Sequence, residues 1–387
     1  MKRSTERILT THAGSLPRPD TVRQMLAAKA GGHPVEAAAL ERGLADAVAD
    51  VVRRQVAAGI DIVNDGELSK PNFLYYVRER LAGCEAGPPA PDPGSGTAGI
   101  SGRDAREFPE YFAEQTGRRQ IGAGLGLKQV FCVAPLQYVG QAAIQADIAR
   151  FRAALQPVEV AEAFLPAVAP GTIEHWLGNR YYPSREAFLY ALADAMHEEY
   201  RAIVDAGFVL QIDDPGLADG WQMHPDLSVE EYRRIAMLHV DALNHALRDL
   251  PEDRVRYHMC WGSYHGPHKH DLPLRALVDV ILRVRAGAYS LEASNARHEH
   301  EWRVWEDVKL PEGKVLIPGV VGHATDFIEH PALVAQRLVQ YARLVGREHV
   351  IAGTDCGLGE RVGHPSLVWA KFEALAEGAR LASQQLW

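Results

Sequence analysis

A chain of 387 residues with 47% hydrophobic and 24% charged side chains has the make-up of a folded globular protein, which excludes wholesale disorder. Fifty acidic against 41 basic residues leave a formal net charge of −9, so no electrostatic footprint for nucleic acid or an anionic membrane is expected. No run reaches the ~18 apolar residues of a membrane span, the N-terminus lacks a signal-peptide core, and four cysteines are too few for a disulfide framework; a reducing cytoplasm is the expected home.

The chain opens on an apolar run, ILTTH (8–12), followed by the helical pattern LADAVADVVRRQVAAG and a strand-like IDIVND (60–65). Further strand candidates are QVFCVAP (129–135), VEVAEAFLPAV (158–168), FVLQIDD (208–214), VRYHMCWG (255–262), AYSLEAS (288–294), KVLIPGVV (314–321) and HVIAGTD (349–355). Between them ALADAMHEEYRAIVDAG, VEEYRRIAMLHVDALNHAL, LRALVDVILRVRAG and HPALVAQRLVQYARLVG repeat apolar residues every three or four positions, as helices packed on a sheet do. Three helical patterns end in Gly just before a strand (AAG-IDIV, DAG-FVL, RAG-AYS), which predicts C-cap glycines.

This alternation predicts an α/β fold, either a (β/α)8 TIM barrel or a doubly wound sheet. Asp65, Asp213, His258, Cys260, Glu292, His323 and Cys356 fall at or just past the C-terminal ends of different strands. A barrel draws its site from such a ring, so the barrel is the expected fold. Nine strand candidates compete for eight places, and ILTTH is expected to be the outsider. Residues 84–128, beginning CEAGPPAPDPGSGTAGISG, break the rhythm. They read as an insertion after the second strand, lying over the barrel mouth of a single domain spanning 1–387; a surface excursion without function is the alternative.

Seventeen histidines are concentrated towards the C-terminal half, many between His258 and His330. Residues two apart in a strand point the same way, so His258 and Cys260 can converge on one point. Imidazole and thiolate are ligands that Zn²⁺ prefers, and Glu292 and Cys356 can complete a tetrahedron. A free cysteine is more often a small buried hydrophobe; two of them at strand ends, one beside a histidine and one beside Asp355, favour metal.

THAGSLPRP (11–19), NDGE (64–67), QIDDP (211–215), HMC (258–260), Glu292 and GTDCG (353–357) together resemble, in order, the C-terminal catalytic barrel of the cobalamin-independent methionine synthase family. The resemblance implies a catalytic zinc on His258, Cys260, Glu292 and Cys356. It also implies that Ser15, Glu67 and Asp213 hold the amino-acid end of a thiol substrate. Epoxyalkane:coenzyme M transferase belongs to the same superfamily. There are departures: the family's long members carry an N-terminal barrel with no counterpart in this sequence, and QIDEP is written QIDDP. The region expected to bear the proton donor reads GVVGHATD, which leaves His323 as the candidate acid, with Asp355 a second catalytic candidate. WGSYHGPH (261–268) and EASNARHEHEW (292–302) add imidazoles, of which His265, His268, His298 and His300 read singly as supporting or surface residues.

The expected activity is that of a zinc-dependent thiol alkyltransferase acting on a small-molecule thiol and an alkyl donor, with methyl transfer to homocysteine first. Epoxide or alkyl transfer to another thiol such as coenzyme M is the runner-up. A non-catalytic zinc-binding barrel and a metal-free barrel lyase or decarboxylase are the readings of other classes.

Overall fold

The computed structural model describes residues 1–87, 102–115, 130–262, 265–359 and 361–387. Its strands are β1 (Leu9–Thr10), β2 (Ile62–Val63), β3 (Leu81–Ala86), β4 (Val130–Tyr138), β5 (Glu162–Val168), β6 (Leu177–Asn179), β7 (Val209–Asp213), β8 (Val255–Met259), β9 (Ala288–Glu292), β10 (Val315–Val321) and β11 (Ile351–Thr354). An 8-stranded sheet runs β1-β11-β10-β9-β8-β7-β5-β2, with parallel pairing throughout. Its two ends meet. The Asp61 N–H donates to Thr10 O at 3.2 Å and the Thr11 hydroxyl to Ile62 O at 3.0 Å, so the sheet closes into a barrel with helices outside.

ILTTH is therefore a barrel strand, and the outsider is QVFCVAP. Within β4 that segment forms a separate three-stranded sheet, antiparallel to β3 and parallel to β6. Burial explains the exchange. Parallel barrel strands are covered on both faces, and Ile8, Thr10, Thr11 and His12 are all buried. β4, although longer, has buried residues only at Phe131, Cys132 and Tyr138, the rest being half-buried or exposed.

The interior is layered by the two-residue alternation of each strand. Ile62, Phe164, Val209, Ala288, Val315, Ile317 and Ile351 form an apolar floor. Two residues further along, the same faces carry Gln211, Ser290 and Gly353, and beyond them Asp213 and Glu292. Arg256 donates to Thr11 Oγ1 (2.9 Å) and His12 O (2.7 Å) across the barrel, beneath His258. Apolar residues fill the lower barrel and polar ones gather at its C-terminal mouth.

Two of the predicted glycine caps are present. Gly59 (φ 83°) and Gly207 (φ 89°) take the left-handed backbone that glycine tolerates best. The following N–H groups of Ile60 and Phe208 reach back to Gln55 O and Ile203 O, a Schellman closure. At Gly287 the N–H instead joins Val255 O in the sheet, and the pattern before it forms two short pieces, Leu274–Ala276 and Val278–Ile281, rather than one helix.

Of the stretch 84–128, residues 88–101 and 116–128 fall outside the described residues. Residues 102–115 form two short helices, Arg103–Glu107 and Pro109–Gln115. The Arg103 guanidinium donates to the carbonyls of Trp221, His224 and Leu227, and the Asp104 carboxylate accepts from Lys269 N and His270 N. These partners belong to the segments that follow β7 and β8. Among the described residues no helix is long and apolar enough to cross a membrane.

Candidate metal centre

His258 is the fourth residue of β8, and Cys260 follows two positions on, on the same inward face. Cys356 stands just past β11. Their ligand atoms all lie within 4.8 Å of one another, with the two sulfurs 3.7 Å apart. His258 and Cys260 are 3% and 2% exposed. Hydrogen bonds from Cys260 and His258 hold the Cys356 thiol well below its usual range, against burial. Sharing that proton with Cys356, together with burial, pushes Cys260 well up. His258 Nδ1 is buried without a hydrogen-bond partner.

Two neighbouring sulfurs coupled through one hydrogen bond, with an imidazole whose Nδ1 is orphaned, are a donor set suited to a soft cation. One soft divalent ion would replace the shared proton. The set fits Zn²⁺, which takes Cys and His ligands in this combination.

Residues 132–372 match the family model of the cobalamin-independent synthase catalytic domain. The chain belongs to that family. A methionine synthase from Thermococcus kodakarensis is 23% identical over 380 residues, which span 97% of this chain and 94% of that protein. The 5-methyltetrahydropteroyltriglutamate–homocysteine methyltransferase of Vibrio vulnificus is 24% identical over 396 residues, 97% of this chain but 42% of its own length. A solved B12-independent methionine synthase from Shewanella sp. W3-18-1, in complex with selenomethionine, shares the fold with a TM-score of 0.72. It is 22% identical, with 98% of this chain and 99% of that one covered.

Within this family member, Glu292 closes β9 beside the trio, and its charge is felt at Cys260. Its Oε1 accepts from the Trp261 N–H at 3.1 Å and its Oε2 from the Asn295 amide. Burial, with Asp355 and Cys356 adding to it, raises its pKa well above the usual carboxylate range. Asp355 faces away from the trio. Its Oδ1 accepts from Ala293 N (2.8 Å) and Ser294 N (3.0 Å), and its Oδ2 from the Ser294 hydroxyl (2.8 Å). Both oxygens hold the turn that follows Glu292, which makes Asp355 a positioning residue. Gly319 permits this approach, because a Cβ there would stand 2.5 Å from the Asp355 backbone.

The expected substrate-holding residues gather on the neighbouring strand ends. Asp213 pairs in register with His258, and its Oδ1 accepts from Gln211 Nε2 at 2.7 Å. Burial pushes it up to about 6, against the pull of His258 and Lys70. Glu67 has a left-handed backbone (φ 57°), and its carboxylate crowds Gly14, where a Cβ would lie 2.6 Å from Oε1. Ser15 is half-buried in the next position, and its carbonyl accepts from Leu358 N and Gly359 N. That pair of bonds ties the 11–19 loop to the one carrying Cys356.

His323 is 3% exposed, and its Nδ1 has no partner. Burial pushes its pKa down to about 4, so at neutral pH it is an uncharged imidazole. The histidines read singly from the sequence separate here. His300 is exposed, whereas His298 is buried and stacked on Trp261 at 3.8 Å between ring centres. Sequence reasoning missed Asp219, which burial and Asp271 push up to about 7 against the pull of His268. It also missed Asp271 itself. Their only signal was proximity to the strand-end motifs.

A second group of potential ligands among the described residues, Glu174, His175 and His239, is paired through its carboxylate, although His239 Nδ1 is buried without a hydrogen-bond partner. Arg185 and His239 both engage the Glu174 carboxylate, and His175 joins Gly216 O at 3.1 Å. The guanidinium supplies the positive charge a metal would bring. The other two cysteines, Cys84 and Cys132, are register partners across β3 and β4 in the side sheet.

Proposed function

We propose that this protein is a zinc-dependent methyltransferase that places a methyl group on the sulfur of homocysteine or a closely similar thiol. The observation that carries the reading is the convergence of His258, Cys260 and Cys356 within 4.8 Å at the barrel mouth, with Glu292 as the fourth ligand. Zinc held there supplies positive charge that keeps a substrate thiol deprotonated at neutral pH.

The chain's own residues do the rest. Glu67 Oε2 is buried without a hydrogen-bond partner, with Lys70 Nζ 4.0 Å away. An ammonium group would satisfy it, and Asp213 and Ser15 complete the hold on the amino-acid end. Asp355 fixes the turn after Glu292. His323, uncharged, offers a hydrogen bond at the mouth. The depth of the barrel end keeps water from the reacting sulfur.

The acidic cluster also separates the rival readings. Coenzyme M presents a sulfonate, which Asp213 would repel and which has no ammonium to offer Glu67 Oε2, whereas homocysteine presents one. A non-catalytic zinc barrel has no use for a ring of buried carboxylates with raised pKa values. Metal analysis of the purified protein should give about one zinc per chain. Homocysteine should then be methylated, and coenzyme M should remain unreacted with either a methyl donor or an epoxide. Protein without zinc, or faster consumption of coenzyme M, would overturn the reading.

A further inference from the structure

A buried cation, Lys70, stands beside Glu67. Its N–H closes a turn by donating to Glu67 O at 3.1 Å. Arg18 braces that turn from the 11–19 loop, donating to the carbonyls of Glu67, Leu68 and Lys70. The Lys70 side chain is 7% exposed and that of Glu67 5%. The Lys70 ammonium donates to Pro166 O on β5 and lies 4.4 Å from the centre of the Tyr76 ring. The phenol of that ring donates to Glu199 at 2.8 Å, and Arg80 holds Glu199 at 3.0 Å. A backbone carbonyl and a fixed aromatic face, rather than a carboxylate, therefore set where the ammonium stands.

Among the described residues Glu67 is its one ion-pair partner, and the pair is open. Lys70 Nζ and Glu67 Oε2 are 4.0 Å apart, beyond hydrogen-bond reach. Two other buried pairs of the chain are closed: Lys371 meets Glu329 at 3.0 Å, and Arg80 meets Asp147 at 2.6 Å. Holding two desolvated charges apart forfeits the contact that offsets their burial.

The space beside this pair is lined with unused acceptors. Glu67 Oε2 is buried without a hydrogen-bond partner, and so is Gln211 Oε1. Both side chains border the same glycine, for a Cβ on Gly14 would stand 2.6 Å from Glu67 Oε1 and 3.6 Å from Gln211 Nε2. Gln211 also pairs in register with Pro166, whose carbonyl anchors Lys70. An ammonium carries three donors, and only one of those on Lys70 is spent on a hydrogen bond among the described residues. Orphaned acceptors and spare cationic donors side by side fit a ligand that carries both charges.

We propose that Lys70 binds the α-carboxylate of the substrate and thereby selects an α-amino acid among thiols. This inference rests on the thiol methylation proposed above. The substrate's ammonium takes Glu67 Oε2 and Gln211 Oε1, and its carboxylate takes the free donors of Lys70. Standard bond lengths put those two groups of an α-amino acid about 3 Å apart. Charge-assisted bonds of about 2.8 Å to each then bridge the 4.0 Å between Lys70 and Glu67. Charge alternates around the four groups, so each ion meets two of opposite sign.

Lys70→Met removes the charge and keeps most of the side-chain volume. Wild type and variant are assayed with homocysteine and with 3-aminopropane-1-thiol, which has the same thiol and ammonium but no carboxylate. Each thiol is paired with 5-methyltetrahydropteroyltriglutamate and with a small sulfonium methyl donor. Wild type should prefer homocysteine by on the order of 10–100-fold in kcat/KM. In the variant KM for homocysteine should rise by a similar factor, with kcat within about threefold and zinc content unchanged. Its kcat/KM for the aminothiol should stay within about threefold of wild type, so that the preference disappears. A variant that keeps the preference, or loses both thiols equally, overturns this inference alone. Lys70→Gln, which retains a donor for Pro166 O, undergoes the same comparison if the Met variant does not fold. A wild type that methylates both thiols equally well overturns it whatever the variants do. A wild type inert with both thiols and both donors overturns it together with the proposed function.

Discussion

Replacing Glu67 by Gln would separate what the mouth gains in binding from what it loses in stability. Glu67 is 4% exposed. Burial pushes its pKa from the usual 4.5 up to about 8, with Lys70 pulling it back and Asp213 and Asp65 pushing further. A carboxyl that binds its proton more tightly when folded stabilises the fold at low pH. That contribution is complete below the unfolded pKa and is lost as pH rises towards the folded one. At ~1.36 kcal/mol per pH unit, the ceiling between pH 5 and 7 is ~2.7 kcal/mol, and relaxation around Lys70 brings the expectation to ~1–2 kcal/mol. Gln carries no such proton. Urea denaturation from pH 5 to 8 should therefore show wild type losing ground to E67Q, with E67Q the more stable protein at pH 7. The same variant should raise KM for homocysteine by on the order of 10–100-fold, since an ammonium loses a charged acceptor. A stability difference that stays flat with pH, or a wild type more stable at pH 7, would refute the reasoning.

Cys260→Ser and Cys356→Ser should each lose most of the bound zinc, because a hydroxyl is a poor substitute for thiolate; wild-type metal content by elemental analysis in either would exclude that sulfur as a ligand. His323→Ala should keep its zinc and lower kcat by about 10–100-fold, the worth of one hydrogen bond to a charged centre. A His323→Ala enzyme as fast as wild type would exclude His323 from the reaction. Methyltetrahydropteroyltriglutamate should be a poor donor beside a small methyl donor, since a net charge of −9 repels the anionic triglutamate tail. A folate kcat/KM well above that of the small donor would show that one barrel suffices for the anionic tail.

The barrel and the convergence of His258, Cys260 and Cys356 were legible because both follow from short-range rules. Two-residue alternation puts His258 and Cys260 on one face, and separate apolar runs deliver Glu292 and Cys356 to the same end. The exchange of ILTTH for QVFCVAP was not legible, because β4 has the longer and more convincing strand pattern. What excludes it from the barrel is incomplete burial, a property of its neighbours. Asp355 misleads for a similar reason. Adjacent to Cys356 in sequence, it points across to Ala293 and Ser294, since neighbouring residues of an extended chain face opposite ways. The hydrogen-bonded line from Glu301 through His298 and Asp271 to His268 joins residues from two loops, with Gln222 and Asp104 supporting it from elsewhere. No periodicity announces such a set; the sequence offers only an excess of histidine.

The electrostatics of the mouth explain why these pieces occur together. Glu67, Asp65, Asp213 and Asp219 are all raised in pKa, and burial is the first cause for each. A fold gains nothing from desolvating carboxylates unless ligands later supply the opposite charge. A divalent ion on the proposed His258–Cys260–Cys356 set would supply two positive charges, and a substrate ammonium a third. Each should stabilise the folded protein by mass action as well as by direct pairing. Behind the mouth, hydrogen bonds hold Asp271 below the usual carboxylate range and His298 above the usual imidazole range, against the burial of both.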